Sequence, residues 1–295
     1  ASASAMGTIL GPEMEKEGYS KEFGAAVNIT SSTTGLVIPP SNTLIVYSLA
    51  SGGVSIAALF LAGYIPGILT GLLMMIVAIV WAKKNKYPVG KRSSLKEVFV
   101  KFIDALPSLL LLVIVIGGII GGVFTATEAS AVAVLYTVLL SFYYKELSLK
   151  DLPKVILESS QTTAIVMLLI GASMCMSWVL SYENIPQDIS NALLSISDNK
   201  IIILLMINLI LLMVGVFMDA TPAVLIFTPI FLPIVTALGM DPTHFGIVLM
   251  LNLCIGLCTP PVGSVLFVGV GIAKTTITKR IHQVLDIRTP LGLWI

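Results

Sequence analysis

Thr30, Ser31, Ser32, Thr33 and Thr34 form an unbroken row of hydroxyls just before Gly35-Leu36-Val37-Ile38-Pro39-Pro40. Gly and a Pro pair interrupt a helix, because Pro has no N–H to donate and its ring clashes with the preceding turn. The interruption frees backbone carbonyls beside the hydroxyls. Carbonyls and hydroxyls together are hard oxygen ligands suited to a cation such as Na+, and unwound helix segments are where such ions are held. Ser31, Ser32, Thr33 and Gly35 are the candidate ligands. For Thr30 and Thr34, a hydroxyl bonded back to its own helix is an equal reading. Beyond Pro39 and Pro40, Ser41 and Asn42 can cap the next helix and face the same cavity. The start of that helix carries partial positive charge suited to a carboxylate.

The pattern recurs as Gly256-Leu257-Cys258-Thr259-Pro260-Pro261-Val262-Gly263. A Phe-Gly pair precedes each copy, Phe23-Gly24 and Phe245-Gly246, and so does a Pro-bearing apolar segment, around Pro12 and around Pro229 and Pro233. In the second copy Gly256 and Thr259 are candidate ion ligands. Pro260, Pro261, Val262 and Gly263 are the candidate substrate contacts, as Pro39, Pro40, Ser41 and Asn42 are in the first. Met218-Asp219-Ala220-Thr221-Pro222 adds a carboxylate in an apolar setting, and an ionisable residue at membrane depth points to function. Asp219 either complements a cation, with Thr221 beside it, or caps a helix starting at Pro222.

The elements that must position these residues are membrane spans. The chain is 56% hydrophobic and 11% charged, with mean hydropathy +0.99, against roughly 25% charged in soluble domains. It reads as an all-α integral membrane protein. A net charge of +1 with no basic, aromatic-interleaved patch gives no sign of nucleic-acid binding. Residues 23–82 contain no Asp, Glu, Lys or Arg. They hold one broken span (23–50) and one ordinary span (54–82), each needing about 20 apolar residues. Two more spans lie in 107–144 and one in 159–182. A short interfacial helix follows over 184–199, then a hairpin over 200–240 with Asp219 at its tip, then a second broken span over 242–273. A break at membrane depth survives only where protein or water surrounds it. Paired broken spans in two halves are the sequence pointer to a secondary transporter's binding site.

Charge sets the orientation. With 13–22, 83–101, 145–154 and 274–288 on the cytoplasmic side, 16 of the 17 Lys and Arg lie there, and only Lys200 lies outside. The hairpin over 200–240 then dips from the periplasmic side. Residues 1–20 read as the returning arm of a counterpart dipping from the cytoplasm. The two halves form an inverted repeat. Ala1 stands inside an apolar run, which reads as a start partway through a longer protein.

The remaining chemistry-bearing residues have plain readings. Cys175, Cys254 and Cys258 lie in apolar runs and read as small buried hydrophobes. His244 and His282 are isolated, and Glu128 reads as a helix N-cap or loop carboxylate. No metalloprotease helix, nucleophile elbow or phosphate-binding loop is present in the sequence. The reading is therefore not an enzyme, with no cofactor, no transition metal and no ATP site within this chain.

On Ser31 to Ser41, Thr125-Ala126-Thr127-Glu128-Ala129, Thr228-Pro229-Ile230-Phe231-Leu232-Pro233 and Gly256 to Gly263, the chain resembles the large membrane (permease) subunit of tripartite ATP-independent periplasmic (TRAP) transporters, dicarboxylate type. The resemblance covers residues 1 to about 274. It implies an elevator-type, Na+-driven importer of carboxylates, working with a small four-helix membrane subunit and a periplasmic substrate-binding protein. First-repeat transport elements are expected in 1–50, scaffold helices with amphipathic arms near 92–104 and 148–158 in 51–199, and second-repeat transport elements in 200–274. The family has further spans before residue 1 and a hydrophobic span at its C-terminus. Here 275–295 is an atypical polar tail. The alternatives are a single-component Na+-coupled divalent anion symporter and a passive membrane channel or scaffold.

Overall fold

The structure is a computed structural model and describes residues 2–88, 94–197 and 199–272. Among these the regular structure is helical throughout. Contacts divide the described residues into two compact units, one formed by residues up to 88 and from 174 onward, the other by 94–173. The polar tail, His282 and the C-terminal basic residues lie outside the described residues.

The first unit begins with α1 (Ser2–Lys16) and α2 (Lys21–Ser32), joined by a turn through Gly18. Ser20 caps α2 by accepting from the Phe23 N–H, and its hydroxyl meets the Tyr87 hydroxyl at 2.6 Å. A 3-10 turn, Thr33–Leu36, and a short non-helical stretch lead to α3 (Asn42–Ala50). The turn at Ser51-Gly52-Gly53 opens α4 (Ile56–Lys84). Residues 54–82 were expected with the scaffold. α4 instead packs on the broken helices: a Cβ at Gly63 would stand 2.5 Å from the Val37 carbonyl, and one at Gly67 would stand 2.5 Å from Ile38 Cγ1. The two glycines remove the side chains that would keep the first break away from α4.

The second unit holds α5 (Leu95–Ile120), α6 (Ala126–Tyr143) and the first part of α7 (Leu152–Tyr182). The arms expected as surface helices near 92–104 and 148–158 are continuous with the spans that follow. Pro107 stands alone inside α5, and a single Pro forfeits one hydrogen bond without ending the helix. Its carbonyl accepts from the Tyr136 hydroxyl at 2.6 Å and so pins α6 to α5. Thr125 and Glu128 cap α6 reciprocally, as expected for Glu128.

The chain returns to the first unit at the end of α7. α8 (Ile185–Ile196) is a short amphipathic helix with Pro186 in its first turn. α9 (Lys200–Phe217) and α10 (Ala220–Ala237) form the hairpin, and α11 (Pro242–Leu257) and α12 (Ser264–Ile272) form the second broken helix. Asp241 caps α11, accepting from the backbone N–H of Thr243 at 2.7 Å and of His244 at 3.3 Å. Bonds from the Thr243 backbone and side chain, then from His244, hold its carboxyl below the ordinary value. Among the described residues six helices are long and apolar enough to cross a membrane: α4, α5, α6, α7, α9 and α10.

Candidate ion and substrate sites at two helix breaks

At the first break the hydroxyl row bonds back to its own helix. Thr30 donates to the Ala26 carbonyl at 2.9 Å, Ser31 to Asn28 at 3.4 Å, Ser32 to Ile29 at 2.8 Å, Thr33 to Thr30 at 2.8 Å and Thr34 to Ser31 at 2.6 Å. The back-bonded arrangement entertained for Thr30 and Thr34 extends to the whole row. It does not remove the oxygens as ligands. A hydroxyl whose proton is committed still presents its lone pairs. Ser31 faces a cavity of about 350 Å³ between α1, α2 and α12. Ser32 is half-buried, Thr33 buried and Gly35 exposed.

Beyond Gly35 the 3-10 turn runs to Leu36, the Ile38 N–H still bonds back to the Thr34 carbonyl, and the Pro39-Pro40 bond is cis. Pro39 and Ser41 are buried, while Pro40 and Asn42 are exposed. Ser41 caps α3 as expected, accepting from the Leu44 N–H at 3.4 Å. Its own proton goes to the Leu36 carbonyl at 2.6 Å, which closes the loop of the break on itself.

At the second break Thr259 donates to the Ile255 carbonyl at 2.7 Å, so it too faces outward with lone pairs only. The Pro260-Pro261 bond is cis. Pro260 is half-buried, while Pro261 and Val262 are exposed. The following half-helix starts at Ser264. This start has a local cause. Gly263 has φ +55, and a Cβ there would stand 2.8 Å from the Thr259 carbonyl and 2.9 Å from that of Leu257. Its N–H turns to the Val216 carbonyl of α9 at 2.9 Å.

Asp219 departs from both of its expected capping details. α10 begins at Ala220 and not at Pro222, and the Asp219 side chain makes no capping bond to it. The carboxylate instead accepts from the Ser264 hydroxyl at 3.3 Å, so it ties the hairpin tip to the start of α12. Thr221 sits half-buried in the first turn of α10. Gly256 is buried at the place where α11 crosses Gly215 of α9, backbone against backbone.

The two breaks are joined through α11. Cys254 Sγ donates to the Thr33 carbonyl at 3.3 Å and Cys258 Sγ to the Ile29 carbonyl at 3.7 Å. Ile29, Cys258 and Leu266 form one buried cluster. At the far end of α3 the Tyr47 hydroxyl donates to the Pro242 carbonyl at 2.6 Å, and its ring covers Gly246. Cys254 and Cys258 are thus buried as expected, but they act as donors to the first half. Cys175, expected buried, is exposed on α7. Tyr47, Ser264 and the thiol contacts had no signature in the sequence beyond the four-residue spacing of the cysteines.

Comparison with known proteins decides the family. The family model described as "Tripartite ATP-independent periplasmic transporter, DctM component" matches residues 1–290. The chain belongs to this family. A Salmonella typhimurium relative named uncharacterized protein YgiK is 57% identical over 285 residues, 97% of this chain and 66% of that protein. The Pseudomonas aeruginosa C4-dicarboxylate TRAP transporter large permease protein DctM is 42% identical over 91% of this chain and 63% of its own length. The Vibrio cholerae sialic acid TRAP transporter large permease protein SiaM is 36% identical over 99% and 68%. The chain therefore spans about two thirds of the length of these relatives. Family membership and six apolar helices make it a multi-pass inner-membrane protein, and the family is one of transporter components, not enzymes.

Proposed function

We propose that the protein containing this chain imports a carboxylate by Na+-coupled secondary transport, as the large membrane subunit of a TRAP transporter. A small membrane subunit and a periplasmic binding protein complete it. The observation that carries the reading is the contact between Thr33 and Cys254. Each residue stands two positions before the glycine of its break, Gly35 and Gly256. They occupy equivalent places in the two copies. A contact between equivalent positions is what a two-fold relation produces, since residue i then meets its own counterpart. This supports an inverted repeat with the two breaks back to back.

In this reading Ser31, Ser32, Thr33 and Gly35 hold one Na+, and Gly256, Thr259, Thr221 and Asp219 hold another. The substrate carboxylate lies between Pro39 to Asn42 and Pro260 to Gly263. There the starts of α3 and α12 favour an anion, and neither 23–82 nor 242–272 contains a Lys or Arg. The hairpin and both broken helices move as one body, because rocking or sliding one bundle about a fixed site is how such folds alternate access. The substrate class follows from relatives named for C4-dicarboxylate and for sialic acid, which share a carboxylate.

The test is uptake of labelled succinate and of labelled sialic acid into proteoliposomes that hold the full-length protein and its small subunit. Uptake of one of them should require both an inward Na+ gradient and the binding protein. Uptake without the binding protein would favour the single-component symporter. Uptake indifferent to Na+ would remove the ion assignment.

A further inference from the structure

A cavity of about 40 Å³ lies between α2, α4 and α11. Thr30, Thr33, Thr70, Met74, Cys254 and Cys258 line it. All but Thr70 are more than nine-tenths buried. The protons of its polar groups are committed to backbone carbonyls. The Thr30 hydroxyl donates to the Ala26 carbonyl at 2.9 Å, Thr33 to Thr30 at 2.8 Å and Thr70 to Pro66 at 2.7 Å. The Cys254 thiol donates to the Thr33 carbonyl at 3.3 Å and the Cys258 thiol to that of Ile29 at 3.7 Å. What remains to face the cavity is lone pairs on hydroxyl oxygens, thiol sulfurs and the Met74 thioether.

We infer that this cavity is a monovalent-cation site formed by Thr30, Thr33 and Thr70, with Cys254, Cys258 and Met74 behind them. The volume admits one water-sized occupant. A water has two protons and would leave most of these acceptors unanswered, whereas a cation engages several at once. Among the lining residues there is no carboxylate, which a divalent ion of the calcium class recruits. The sulfurs extend the range toward softer ions such as Tl+. The cavity lies beside the Thr33–Cys254 contact, so an ion in it bridges the two halves and α4. The inference rests on the lining chemistry; the site shares Thr33 with the ion site proposed at the first break, and Thr30, Thr70, Met74, Cys254 and Cys258 belong to it alone.

The test follows Cys254, which forms part of the cavity wall, in the full-length protein with Cys175→Ser. Modification by N-ethylmaleimide is timed residue by residue in NaCl, in thallous nitrate and in choline salts of matched ionic strength. At a cation concentration ten times the dissociation constant, Cys254 should react about tenfold more slowly than in choline. Thr70→Val should abolish the slowing and Thr70→Ser should retain it. Asp219→Ala, at the second break, should leave it intact. Equal rates in Na+, Tl+ and choline would overturn the site, and so would slowing that persists in Thr70→Val. If Thr70→Val fails to fold, the cation comparison in the parent and in Thr70→Ser still decides. Loss of this protection with Na+-dependent uptake intact would sink this site and leave the transport reading standing.

Discussion

The two breaks are near-copies in sequence and are held in different ways. The second is held within its own half. The α9–α10 hairpin gives it the Val216 carbonyl for the Gly263 N–H, Asp219 for the Ser264 hydroxyl and Gly215 for the crossing at Gly256. The first closes on itself through the Ser41–Leu36 bond and is otherwise held by Gly63 and Gly67 of α4 and, from the other half, by the two thiols of α11. Similar motifs can thus make similar ligand sets while drawing their rigidity from different neighbours. The consequence is asymmetric sensitivity to substitution.

Gly35 and Gly256 give the sharpest contrast. A Cβ at Gly256 would run into the backbone of Gly215, while one at Gly35 meets nothing within 4 Å. Gly256→Ala should destabilise this chain by about 1–3 kcal/mol or more, the usual cost of forced overpacking. Gly35→Ala should fall within about 0.5 kcal/mol of the parent. Thermal unfolding in detergent measures both, and equal losses would break the comparison. Gly63→Ala sharpens it, because the Cβ would stand 2.5 Å from the Val37 carbonyl. It should cost about as much as Gly256→Ala while disturbing the first break alone.

A smaller effect is expected at Tyr47, whose hydroxyl links the end of α3 to the Pro242 carbonyl. Tyr47→Phe removes one hydrogen bond and should cost about 1 kcal/mol. The smallest concerns Asp241. Its carboxyl is held below the ordinary value by the Thr243 and His244 bonds, so the folded state binds its proton less readily than the unfolded state. Its stabilising effect is complete above the ordinary carboxylate range and is lost as pH falls through the lowered folded value. Asp241→Asn should flatten that acid limb of the unfolding curve. An unchanged limb would show that other carboxylates set it.

Much of this arrangement was legible in the sequence because it rests on backbone rules. Gly35 with Pro39-Pro40 and Gly256 with Pro260-Pro261 interrupt helices wherever they occur, so both breaks stand where the motifs do. The Thr125 and Glu128 capping pair is equally local. What stayed hidden depends on packing between distant segments. Nothing in residues 54–82 announces that Gly63 and Gly67 seat the first break, since glycine is common in membrane helices. Cys254 and Cys258 read as bulk because a thiol becomes a donor only when a carbonyl is brought to it, here from residues more than 200 positions away. The bond between Asp219 and Ser264 has no local signature, because the two stand 45 residues apart.

The measurement that bears most directly on the central claim, two separate ion sites at two equivalent breaks, is the Na+ dependence of uptake by the full-length transporter carrying Ser32→Ala or Thr259→Ala. Each substitution removes one hydroxyl oxygen from one break, where it bonds only to its own helix. The account predicts that each raises the Na+ concentration for half-maximal uptake, and that the double variant combines both effects additively in free energy, as independent sites do. Half-saturation unchanged in both single variants would contradict it.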